Sequence, residues 1–122
     1  MIKFLLPLLI LAGCQDLNSN STDQSRYGEG AVTGSAVFVD AFEVIQNRCA
    51  NCHTSTIHNK WSTYRTEADW VTKESTIIPG NPAESSFITR LKNYPNGDMP
   101  VGAGPLPNDE LTKLQDWVEQ LQ

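Results

Sequence analysis

Five residues, Cys49-Ala50-Asn51-Cys52-His53, constrain this chain more than any other stretch in it. Two thiols three positions apart fall on one turn of backbone, with an imidazole at the next position. Zinc would need a fourth donor, for which His58 is the nearest candidate. Cys52 and His53 are adjacent, however, and four ligands this close in sequence suit a tetrahedron poorly. A dithiol redox pair of the thioredoxin kind needs a βαβ setting, and no alternating strand pattern surrounds the motif. The third use is covalent haem attachment. C-x-x-C-H lets each thiol add to one vinyl group of a porphyrin and holds the histidine under the ring as an axial iron ligand. The expectation is one haem c bound through Cys49 and Cys52, with His53 on the iron.

Cys14, the third cysteine, has a separate use. Residues 1–3 form a short basic start, and Phe4 to Leu11 is an apolar run too short to span a bilayer as a helix. The run ends in Leu11-Ala12-Gly13-Cys14, which resembles the lipobox of bacterial lipoproteins. That resemblance implies cleavage after Gly13 and acylation of Cys14, and several acyl chains on one residue anchor stably where one is marginal. The alternative is an ordinary secretory signal. Either way the chain is expected to be exported. The lipoprotein reading puts it on the periplasmic side of a bacterial membrane, the outer one if the host is Gram-negative, since Gln15 and not Asp follows Cys14.

Residues 14–35 are then a lipid-anchored linker. They are mostly Asn, Ser, Thr, Gly, Gln and Asp, too polar to offset the entropy of ordering. As a random coil, about 21 residues reach roughly 25 Å. Tyr27, Ala31 and Val32 are the residues of this stretch that can pack on the helical domain C-terminal to it. The chain has 122 residues and a formal net charge of −5, and loss of Lys3 with a signal makes the remainder more acidic. No basic run or stripe exists, so nucleic acid is not an expected partner. An acidic surface favours a protein partner with basic groups at its docking site.

From residue 36 to 122 the pattern is helical. Phe38, Ala41, Phe42 and Ile45 share a face running into Cys49, with Ser35 as N-cap. A short helix is expected over Glu67 to Lys73. Asn81-Pro82-Ala83-Glu84 reads as a capped helix start, with Phe87, Ile88 and Leu91 as its buried face. Tyr94 to Pro107 is rich in Pro and Gly and reads as a loop. Asn108 is the expected cap of a last helix, whose stripe is Leu111, Leu114, Trp117, Val118 and Leu121. The fold class is therefore all-α.

A haem c domain usually takes a sixth ligand from the far end of the chain. Met99 sits in Tyr94-Pro95-Asn96-Gly97-Asp98-Met99-Pro100, where two prolines and a glycine fix the backbone around a thioether. Its plain alternative is a core plug. His58 is only five residues past His53, too close to reach the opposite haem face, and reads as a surface residue. Arg65 or the indole of Trp61 is a candidate for a haem propionate, and each is otherwise a packing residue.

Together these features resemble the class I c-type cytochromes over about residues 36–122. The resemblance rests on Cys49-x-x-Cys52-His53, the helix before it, Met99 in a Pro-rich loop and an aromatic last helix. It implies a cytochrome c fold with crossed first and last helices, Ala41 facing Trp117 where the family usually has Gly. It also implies His53/Met99 coordination and single-electron transfer between redox proteins, without catalysis. If Met99 is displaceable, the same domain becomes a small-ligand sensor or a peroxidase-like site.

Overall fold

The computed structural model describes residues 32–53, 61–64 and 66–122. The chain there is helical: α1 (Ala36–Arg48), α2 (Ala50–His53), a 3-10 turn at Trp61–Thr63, α3 (Glu67–Lys73), α4 (Ser86–Lys92) and α5 (Asn108–Gln120). Among the described residues there is no strand, and the one bridge pairs Thr33 with Thr66. No helix of the described residues is long and apolar enough to cross a membrane.

α1 starts where its capping residue predicts. Ser35 is extended, and its Oγ accepts from the Phe38 amide, satisfying a donor the helix cannot. Phe38, Ala41 and Ile45 are fully buried, with Phe42 and Val44 close behind. Cys49 closes the helix, its N–H donating to the Ile45 carbonyl. α5 is the other long helix and packs on α1. Leu114, Trp117 and Val118 are fully buried, and the Trp117 ring lies 5.3 Å from that of Phe38. The remaining core is aromatic. Trp70 sits at its centre, with Phe42, Trp61, Tyr64, Phe87 and Trp117 all within ring-contact range. Val32, at the end of the stretch expected to be a tether, packs against this core.

Two local expectations need correction. The helix anticipated at Asn81 begins instead at Ser86. Asn81 does cap a turn: its Oδ1 accepts from the Glu84 amide and its Nδ2 donates to Glu84 Oε2. Ser85 then turns extended (ψ 113) and stops propagation. Its buried hydroxyl is held by Ile78, accepting from the amide at 2.8 Å, and faces the Ile78 and Asn81 carbonyls. The tertiary hold on Ser85 outweighs the local capping signal. At α5, the cap position belongs to Pro107, and Asn108 is the first helical residue with no side-chain cap bond. The Pro107 carbonyl already receives the Leu111 amide, so the turn has begun one residue early.

Candidate functional site

The end of α1 builds the site. The Cys49 carbonyl accepts from both the Cys52 and the His53 amides, at 3.1 and 3.0 Å, so one tight turn carries both thiols and the imidazole. Neither Cys49 nor Cys52 is in a disulfide. Their surroundings differ. Cys49 packs at the edge of the core, and burial pushes its thiol up to about 12, with the Cys52 and Glu110 charges adding to the rise. Cys52 is exposed. A forked ion pair from Arg48 to Glu110, at 2.7 and 2.8 Å, ties the residue before the motif to the first turn of α5.

His53 is half-buried and lies flat against Trp61, ring centroids 4.1 Å apart and planes 15° from parallel. Trp61 is itself fixed. Its indole N–H donates to Glu74 Oε2 at 2.7 Å, while Glu74 Oε1 accepts from the Thr76 amide and hydroxyl. The indole of Trp61 is thus committed to Glu74, which removes it as a free donor for a propionate. Sequence reasoning missed Glu74, because a carboxylate next to Lys73 at a helix end reads as surface. It is 5% exposed.

Trp70 shows the opposite situation. It is fully buried, and among the described residues its indole N–H has no hydrogen-bond acceptor. Leaving such a donor unmet costs about 1–3 kcal/mol. Its ring touches Trp61 at 5.0 Å, so the unmet donor lies one ring beyond the one stacked on His53.

Met99 reaches the same core from the loop after α4 and is half-buried against it. That loop is pinned. A Cβ on Gly97 would sit 2.0 Å from the Arg90 carbonyl oxygen of α4, so only glycine allows the approach. The Gly97 amide donates to the Asn93 carbonyl, and Asp98 follows with φ 64, a left-handed conformation that Asp tolerates better than most residues. Cys49, Cys52 and His53 are therefore brought together on one turn, and Met99 and Cys49 border one core. Cys14, His58 and Arg65 lie outside the described residues.

The turn offers two unpaired thiols, one at the surface and one against apolar side chains, beside an aromatic-clamped imidazole. That donor set is the one covalent haem attachment uses, and the Trp70 N–H is a buried donor with no acceptor among the described residues. No cluster of three metal-ligating His, Cys, Asp or Glu side chains exists among the described residues, and His58, the fourth donor a zinc site would draw on, lies outside them. Comparison with family models, with curated proteins and with solved structures found no match.

Proposed function

We propose that this chain is a mono-haem c-type cytochrome with a cytochrome c fold, a membrane-anchored carrier of single electrons between redox proteins. The observation that carries the reading is the Cys49–His53 turn: two free thiols and a clamped imidazole on three-residue spacing, at the end of a helix that packs against the last helix of the chain. When bound, the haem supplies a one-electron iron couple.

The chain's own residues do the rest. Cys49, at the end of α1, and Cys52, in α2, would hold the porphyrin through thioether bonds. His53, through an imidazole nitrogen, and Met99, through its thioether sulfur, would be the residues that hold the iron. Asp98 and Gly97 set the backbone that presents Met99, so a weak thioether donor does not need to be held by its own bond strength. The soft sulfur and the apolar core both favour the less charged, reduced iron, which raises the potential relative to two imidazoles. Trp70, whose buried N–H has no acceptor among the described residues, would be a donor for a propionate of the group. With His53 and Met99 both holding the iron, small ligands would be excluded, and transfer would need only a brief docking contact with a small interface. Cys14, lipidated, holds the domain on the periplasmic side of a bacterial membrane through the polar linker, and basic partners dock against the acidic surface.

Replacement of Met99 by Ala tests the assignment. The red-region sulfur-to-iron band of the oxidised protein should disappear, and the reduced variant should bind carbon monoxide rapidly while the unaltered protein does not. An unchanged band in M99A would assign the sixth position elsewhere. Rapid carbon monoxide binding to the unaltered protein would favour the sensor or peroxidase-like alternative.

A further inference from the structure

We infer that Trp61 is the positioning residue for His53: the indole, anchored by Glu74, sets the rotation of the imidazole plane. The inference rests on the haem reading above and extends it to a residue pair that the motif does not contain.

Four observations support it. The two rings are nearly parallel at 4.1 Å, a stacking distance at which rotating the imidazole about its Cβ–Cγ bond would drive its edge into the indole. Trp61 cannot yield easily, because it is 5% exposed and wedged between Trp70 at 5.0 Å and Phe87 at 5.8 Å. Its remaining freedom, a slide within its own plane, is stopped by the 2.7 Å bond from Nε1 to Glu74 Oε2. Glu74 is in turn locked, since Thr76 donates twice to its other oxygen at 3.2 and 2.7 Å. The sequence Thr76–Glu74–Trp61–His53 is thus a continuous set of contacts from the end of α3 to the imidazole.

The direction of an axial imidazole plane decides how unpaired spin spreads over the porphyrin edges in the oxidised state. A residue that fixes this plane leaves a signature in the paramagnetically shifted haem methyl resonances, separate from any electron-transfer rate. The experiment compares the oxidised unaltered protein with W61L, W61F and E74Q by proton NMR, after expression with a haem maturation system. W61L removes the stack, and the spread and order of the four methyl resonances should shift. W61F keeps a ring and loses the anchor to Glu74, so the shift should be smaller. E74Q keeps one acceptor oxygen, so either the Trp61 N–H or the two Thr76 donors lose the oxygen they use; the anchor loosens at one end or the other, and the pattern should shift in the same sense as in W61F. As a control, F38L alters the core beside Trp117 and should leave the pattern in place.

A methyl pattern unchanged in W61F, W61L and E74Q would overturn the inference. If W61L does not fold, W61F and E74Q decide alone: a shift in either supports the positioning role, and the unaltered pattern in both overturns it. Failure of the unaltered protein to attach haem is a different result. It removes the underlying reading and this inference with it.

Discussion

Glu67, Glu74 and Ser85 are the polar residues on which the apolar packing depends. Glu67 accepts from the Ser35 amide and hydroxyl and from the Trp117 indole, joining the starts of α1 and α3 to the middle of α5. Ser85 holds the 78–81 turn against the start of α4. Replacing Ser85 by Ala leaves the Ile78 amide without its side-chain acceptor in a part-buried position and should lower unfolding free energy by about 1 kcal/mol in urea titration. A second expectation concerns Cys49. Burial raises its thiol from 9.0 to about 12, so the fold favours the neutral form. This contribution is fully present below about pH 9 and is lost as pH rises through about 12, because the unfolded thiol ionises first. Haem-free reduced protein should therefore lose stability between about pH 8 and pH 11 more steeply than C49A, as read from urea midpoints. The carboxylate and hydroxyl hubs were not legible in the sequence. Their partners lie 32 and 50 positions away for Glu67, and no local pattern records such pairings.

At the scale of elements, periodicity carried most of the information. α1, α3 and α5 follow the apolar spacing because each buries one stripe, and the expected core residues Phe38, Ile45, Leu114 and Trp117 are all buried. The misread ends were at Ser85, where bonds to Ile78 and Asn81 hold the residue extended, and at Pro107, whose carbonyl starts the helical bonding one residue before the expected cap. The loop bearing Met99 was legible as a loop, while its attachment to α4 was not, since a glycine's close neighbour cannot be read from the residues beside it. Gly97→Ala should test that attachment. The new Cβ meets a backbone oxygen that has little room to retreat, so the loop must move. The variant should keep haem bound through Cys49 and Cys52 and lose most of the red-region sulfur-to-iron band. A full band in G97A would show that the loop's seat on α4 does not position Met99.

For the whole molecule, the all-α class was legible, and so was the grouping of Cys49, Cys52 and His53, because both follow from short spacings. The aromatic cluster around Trp70 and the clamp on His53 were not, since they assemble from α1, the 61–63 turn, α3, α4 and α5. A chain of this size with a single aromatic core and an unmet buried donor is consistent with a domain completed by a bound group. The direct measurement is haem content of the purified protein after expression with a maturation system, by intact mass and by absorption after acid–organic extraction. The proposed function expects a mass higher by one haem, with the chromophore remaining on the polypeptide through extraction and lost from the C49A/C52A double variant. Protein with the mass of the bare chain, or with haem that extracts freely, would contradict it.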